Sequence, residues 1–98
     1  MSNLLSNVNR RQLATNTQRV AYRLLNANGE WVSRKQLETM VTSATARVRD
    51  LRKPQFGGFK VQCASAAELG KRGDNHTFFY RIPPRSVRKS QVTQIFQR

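Results

Sequence analysis

The chain has 98 residues, in which 18 lysines and arginines outnumber five acidic residues, so its net charge at pH 7 is +13 and its isoelectric point about 11.7. This length suits one domain with a modest core. The acidic residues are scattered, so the balance favours a polyanionic partner, above all nucleic acid. No apolar run reaches the roughly 18 residues of a membrane span, and the N-terminus lacks the pattern of a secretion signal. We therefore expect a cytoplasmic, nucleoid-associated protein with no membrane partner.

Residues able to carry catalysis or bind metal are sparse. Cys63 is the one cysteine and His76 the one histidine, so the sequence predicts no metal site, no cofactor and no internal disulfide. A lone cysteine fits a reducing compartment, and we interpret it as a small buried apolar residue. The five acids fall on different predicted elements. Because they would not converge on one site, we do not expect an enzyme.

The N-terminal third predicts an arm followed by a helix. Residues 1–12 are polar and are predicted to form a flexible arm. Residues 13–27 carry apolar side chains at helical spacing, which predicts a first helix. Thr15 or Thr17 is placed to cap its start, and residues 28–29, an Asn-Gly pair, to end it.

A second helix follows after a short extended piece. Trp31 lies in that piece and is expected to close one end of the core. Ser33 and Gln36 have the spacing of a capping box, which predicts a helix that starts after Ser33 and runs to about Met40. Its inward residues are expected to be Leu37, Met40 and Val41.

A third helix is predicted over residues 43–53, after a turn of only a few residues. Ser43 is its expected N-cap, and Pro54 ends it. Two short helices joined so tightly are typical of a helix-turn-helix. Its apolar side is formed by Ala44, Val48 and Leu51, and its other side carries small and cationic residues.

The cations of this third helix are not equivalent. Arg47 and Asp50 are three residues apart and are expected to pair along its flank. No acid lies four residues from Arg49 or Lys53, so we expect these two to be available for a base edge and a phosphate, respectively.

Two strands and a basic loop are predicted next. Phe59, Val61 and Cys63 alternate with polar residues, as in a half-buried strand. A second strand is predicted over 77–82, with Phe78, Tyr80 and Ile82 on its inner face. The loop between the strands carries Lys71 and Arg72 near its tip, and Lys60 and Arg81 are expected on the outer face, in contact with solvent only.

The last residues, 85–98, contain no acid. Val92, Ile95 and Phe96 have helical spacing, which leaves one or two helical turns open, but we favour a disordered basic tail. The same apolar residues could form the contact of a homodimer or bind a protein partner, and the sequence does not decide between the two.

Residues 13–84 resemble the winged helix-turn-helix DNA-binding domain. The resemblance rests on the order of helix, short strand, helix, turn, helix and two-stranded wing. Residues 45–53 are similar to the recognition helix of small DNA-binding proteins from bacteriophages and mobile elements, and residues 30–33 to the link between that family's first two helices. The resemblance implies an α+β fold with three helices and a small antiparallel wing sheet of two or three strands.

The expected function is therefore binding of double-stranded DNA, as a small transcriptional regulator or an excisionase-like architectural factor. The recognition helix would enter the major groove, and the wing would contact the adjacent backbone or minor groove. The predicted DNA-binding residues are Arg34, Lys35, Thr42, Ser43, Thr45, Ala46, Arg49, Arg52, Lys53, Lys71 and Arg72. Two alternatives remain: a non-sequence-specific RNA- or ribosome-associated protein, and a protein-interaction module that docks on a nucleic-acid-processing enzyme.

Overall fold

The computed structural model describes Leu13, residues 15–70 and residues 77–96. These residues form an α+β fold with four helices and a three-stranded antiparallel sheet. The predicted arm at 1–12 and the predicted loop cations Lys71 and Arg72 lie outside the described residues. In chain order the elements are α1 (Asn16–Asn26), β1 (Val32–Ser33), α2 (Arg34–Met40), α3 (Ala44–Leu51), a 3-10 turn (Pro54–Phe56), β2 (Gln62–Ser65), β3 (Phe78–Arg81), a second 3-10 turn (Pro84–Ser86) and α4 (Lys89–Phe96).

Two capping boxes fix the starts of α1 and α2. The Thr15 hydroxyl accepts a hydrogen bond from the Gln18 N–H at 3.1 Å, and the Gln18 side chain accepts one from the Thr15 N–H at 3.2 Å. Ser33 and Gln36 make the same reciprocal pair at the start of α2. Each box satisfies backbone donors that the first turn of a helix leaves open. Both predicted helix starts are confirmed, with Thr15 as the cap of α1.

The sheet has the order β1-β3-β2, so β3 is central. Val32 and Cys63 both lie opposite Tyr80 and share its face. Val32 and Tyr80 are buried, but Cys63 on the edge strand is exposed. The prediction that Cys63 is buried is therefore wrong, because alternation places a side chain on a face without showing whether helices cover that face.

The core lies between the helices and the inner face of the sheet. Three residues predicted to belong to it do not: Met40 and Phe78 are 40% and 39% exposed, and Trp31 is half-buried outside the core cluster. Met40 is the last residue of α2, and it is not among the residues of the core cluster. The cluster consists of Val20, Ala21, Leu24, Val32, Leu37, Val41, Ala44, Val48, Leu51, Phe59, Val61, Tyr80, Ile82 and Ile95.

The C-terminal residues form a docked helix, which corrects the preference for a disordered tail over residues 89–96. Val92 and Ile95 of α4 are buried. The Gln18 side-chain amide donates to the Ile95 carbonyl at 2.9 Å, and Phe96 meets the ring of Tyr22 edge to face at 6.5 Å. The α4 helix is therefore held to α1 by apolar burial and by a buried hydrogen bond.

The turn between α3 and β2 is fixed from both sides. Gly57 has φ +105°, and a Cβ at this position would lie 2.6 Å from the Phe59 ring, so the close approach requires glycine. On the other side, the Gln91 amide donates to the carbonyls of Gly57 and Gly58 at 3.0 and 3.3 Å, and the Gln94 amide donates to that of Pro54 at 2.8 Å. The end of α3 is thus tied to α4.

No helix in the described part of the chain is long and apolar enough to cross a membrane.

Candidate nucleic-acid interface

The α3 helix is buried on one side and open on the other. Ala44, Val48 and Leu51 are buried, and the helix packs against α1 and α2, as predicted. The opposite side presents exposed Thr45 and Arg49. This side also includes exposed Thr42 and Lys53 and half-buried Ala46, which completes the outward stripe Thr42, Thr45, Ala46, Arg49 and Lys53.

Ser43 occupies the N-cap position of α3 but does not cap it with its side chain. Its backbone is left-handed, with φ 55° and ψ 47°, and its hydroxyl makes no capping bond. A capping serine needs an extended backbone that turns its side chain back over the first turn. The prediction of a side-chain cap is wrong because the tight link from Val41 takes the left-handed turn at this residue. The hydroxyl of Ser43 is exposed.

Asp50 holds two cations on the flank of α3. Its carboxylate lies 3.4 Å from the Arg47 guanidinium, which confirms the predicted pair. It also lies 3.3 Å from the Lys53 amine, so the expectation that no acid engages Lys53 is wrong. Lys53 follows Asp50 by three residues, and side chains at this spacing also meet on a helix, so the lack of an acid four residues away does not leave Lys53 unpaired. The Lys53 side chain is still 54% exposed, and exposed pairs of this kind contribute only about 0–1 kcal/mol. Its amine can therefore exchange the carboxylate for a phosphate.

The side chain of Arg49 is exposed and makes no ion pair or hydrogen bond with a described residue. It lies between small side chains at Thr45 and Ala46 and the end of the helix. An arginine placed in this way can reach a surface that approaches α3 without breaking an internal contact.

Arg52 has a structural contact that the sequence did not reveal. Its Nε and Nη2 atoms both donate to the Val61 carbonyl, at 3.3 and 3.0 Å. This bond joins the C-cap of α3 to the chain entering the edge strand β2. Arg52 is among the residues predicted to bind DNA, and the structure adds this tertiary contact between α3 and the sheet.

The start of α2 carries the next two predicted residues. The Arg34 Nε lies 3.1 Å from the Glu38 carboxylate, and its guanidinium lies 5.9 Å from the centre of the Phe78 ring. The exposed ring of Phe78 thus has a cationic neighbour. Lys35 is exposed.

A row of three side chains crosses the outer face of the sheet. Arg81 lies opposite Gln62 in the pairing of β2 with β3, and its guanidinium lies 4.6 Å from the centre of the Trp31 ring. Its Nε donates to the Gln62 side chain at 2.6 Å. The prediction that Arg81 is in contact with solvent only is wrong. Alternation placed it outward correctly, but only the register of all three strands brings it to Trp31.

Within the described ranges, no group of three or more His, Cys, Asp or Glu side chains comes together as a metal-ligand set. Acidic groups there are few and dispersed. Comparison with protein-family models, with curated proteins and with solved structures found no match, so the assignment of function rests on the residues and geometry of this chain.

Proposed function

We propose that this chain binds double-stranded DNA with sequence preference, in the manner of a winged helix-turn-helix domain whose recognition helix is α3. The observation that carries the proposal is the open outward stripe of α3, backed by a fully buried apolar side. A small transcriptional regulator and an excisionase-like architectural factor both use such a helix.

The dimensions of α3 suit the major groove. An α-helix with its side chains is about 10–12 Å across, and the major groove of B-DNA is about 12 Å wide and admits an α-helix. Thr45 and Ala46 are small, so the helix backbone can approach base edges closely. Arg49 follows one turn later, at the position from which a guanidinium reaches into the groove.

Each cation near α3 has a proposed role. Arg49 reads a guanine through its O6 and N7 acceptors, the commonest specific contact of arginine. Lys53 binds a phosphate at the end of the helix, in place of Asp50. Arg34 and Lys35 bind the backbone beside the groove, and Thr42, Ser43 and Thr45 contact a phosphate through their hydroxyls or a thymine methyl through their apolar atoms.

For Arg52 we propose a structural role instead of the DNA contact expected from the sequence. Because its guanidinium binds the Val61 carbonyl, we assign it to holding α3 and β2 at a fixed angle instead of to a DNA contact. Lys71 and Arg72 keep the proposed wing role in backbone or minor-groove contact.

The proposal is tested by selecting bound sequences from a random duplex pool at near-physiological salt, followed by affinity measurements on the Arg49→Ala variant. Loss of a bidentate contact to guanine costs about 1–3 kcal/mol, so affinity for the selected duplex should fall about 5- to 150-fold. Affinity for random duplex should fall much less, since there the residue contributes mainly its charge.

Arg88→Ala is the matched control. Arg88 is an exposed arginine outside the stripe, so it should lower the affinity for both duplexes equally and slightly. Equal losses on selected and random duplex for Arg49→Ala would contradict the proposed base reading. Better competition by structured RNA than by duplex would favour the RNA-binding alternative, and selection of no preferred sequence would refute sequence preference.

A further inference from the structure

The Arg81 guanidinium is held in one place by contacts on two sides. Its Cζ atom lies over the Trp31 ring, 4.6 Å from the ring centre, and its Nε donates to the Gln62 oxygen at 2.6 Å. Trp31, Arg81 and Gln62 come from β1, β3 and β2 or their immediate flanks, so they form a row across the sheet. A flexible side chain fixed in this way has already lost much of the rotamer entropy that ligand binding would otherwise cost.

The terminal nitrogens of this guanidinium are not engaged by the described residues. Neither Nη1 nor Nη2 of Arg81 has a hydrogen-bond or ion-pair partner among them. The Gln62 bond uses the Nε–H, which leaves the terminal N–H donors available to a ligand. Such a pair of donors matches the two oxygens of a phosphate.

Arg81 also lies near the C-terminal end of α3. Arg52, the C-cap of α3, binds the Val61 carbonyl, and the next residue, Gln62, binds Arg81. The covalent and hydrogen bonds along this path place the two guanidinium groups at most roughly 18 Å apart. A duplex that follows α3 past its C-terminus therefore passes within reach of the row on the sheet.

We propose that Arg81 is a phosphate-binding residue that holds the DNA backbone beside the C-terminal end of α3, with Trp31 as its stacking platform and Gln62 as its anchor. This inference rests on the proposed binding of duplex DNA. It adds a contact on the sheet, outside the recognition helix and the wing loop. Exposed Lys60, two residues before Gln62 on the chain entering β2, adds positive charge on the same side and favours a phosphate over a neutral ligand.

The test compares the Arg81→Gln and Arg85→Gln variants on the same duplex over a range of salt concentrations. Each phosphate contact contributes about 0.9 to the slope of log affinity against log salt. Arg81→Gln should lose about tenfold in affinity at low salt. Its affinity should then fall about threefold less than that of the wild type between 50 and 200 mM salt. Arg85 is exposed and lies outside the row, so Arg85→Gln should change both quantities much less.

Two further variants separate phosphate binding from a structural role. Gln62→Ala keeps the charge of Arg81 but frees its Nε, so it should weaken binding while the salt slope stays at the wild-type value. Arg81→Lys keeps the charge but loses the planar fork, with the same expected pattern. Thermal unfolding of each variant identifies any loss that comes from misfolding, and Gln62→Ala, on the exposed edge strand, keeps the test valid if Arg81→Gln does not fold.

The outcomes distinguish this inference from the proposed function. Equal effects of Arg81→Gln and Arg85→Gln would overturn the inference and leave base reading by Arg49 intact. If Arg49→Ala lowered the affinity for selected and random duplex equally while Arg81→Gln still lowered the salt slope, the backbone contact would stand and the proposed base reading by Arg49 would fall. If Arg81→Gln lowered the affinity for structured RNA but not for duplex DNA, the inference that Arg81 binds the DNA backbone would be overturned.

Discussion

Two serines at equivalent positions show how one side chain can either stabilise a helix or remain available for a ligand. Ser33 and Ser43 both precede a helix, but only Ser33 accepts a hydrogen bond from the backbone of the first turn. Ser43 has a left-handed backbone instead, with its hydroxyl exposed. The hydroxyl of Ser43 therefore makes no capping bond to α3 and is available for the DNA contact proposed above.

We predict different stability effects at these two residues. Ser33→Ala should lower the free energy of unfolding by about 1 kcal/mol, because the Gln36 N–H loses its acceptor. Ser43→Ala should change it by less than about 0.5 kcal/mol, since no capping bond is lost. Ser43→Gly should raise it by up to about 1 kcal/mol, because glycine adopts the left-handed backbone without steric cost. Urea unfolding measures all three.

The same serine variants separate stability from binding. If Ser43 contacts the duplex, Ser43→Ala should weaken binding although its stability is unchanged, whereas Ser33→Ala should lower stability with little effect on binding at saturating folded protein. A loss of about 1 kcal/mol in stability for Ser43→Ala would show that its hydroxyl does cap α3, contrary to the geometry.

Sequence patterns predicted local contacts well at this scale and tertiary contacts poorly. The predicted Ser33 capping box and the predicted cap at Thr15 are confirmed, because in each case both partners lie within one helical turn. The Arg52 bond to Val61 and the stacking of Arg81 on Trp31 depend on how separate elements pack. No spacing within a single segment reveals these contacts.

At the scale of elements, α4 is the feature that the sequence left undecided. Its apolar spacing was visible, but eight residues form a marginal helix in isolation. The helix is stabilised by what it docks against: the buried carbonyl bond from Gln18 and the amide bonds from Gln91 and Gln94 to the turn after α3. These contacts join residues 33 to 77 positions apart in sequence, so periodicity gives no indication of them.

The docking of α4 predicts a large effect at Ile95. This side chain belongs to the core cluster, so Ile95→Ala should lower the free energy of unfolding by about 2–4 kcal/mol, from lost burial and the cavity left behind. Thr93→Ala, on the exposed side of the same helix, should change it by less than about 0.5 kcal/mol. Both values come from urea unfolding monitored by Trp31 fluorescence. Similar small changes for both variants would mean that the tail is undocked in solution.

The boundary of strand β2 is a second feature that the hydrophobic pattern did not predict correctly. The predicted first strand at 59–63 lies partly before the observed β2, and the alternation breaks where Gln62 and Cys63 are both exposed. Alternation is reliable where both faces of a strand differ sharply in environment. On a four-residue edge strand this difference is small, so the prediction gave the right topology with the wrong boundary.

At the scale of the whole molecule, size and charge set the expected footprint. The described fold has a longest extent of 40 Å, comparable to one turn of duplex, about 34–36 Å. One copy can therefore span the α3 contact and the flanking backbone contacts without a partner. Six side chains are proposed to contact DNA phosphates: Arg34, Lys35, Lys53, Lys71, Arg72 and Arg81.

This footprint predicts a steep dependence of binding on salt. About six phosphate contacts should give a slope near −5 for log affinity against log salt, and a loss of affinity of about a thousandfold between 50 and 200 mM salt. Random duplex should show a similar slope at lower affinity, because phosphates are common to all sequences and only base contacts differ. Fluorescence anisotropy with a selected and a random duplex of equal length measures both slopes. A slope near −1 on the selected duplex would be incompatible with a broad cationic footprint, and would restrict the interface to α3 alone.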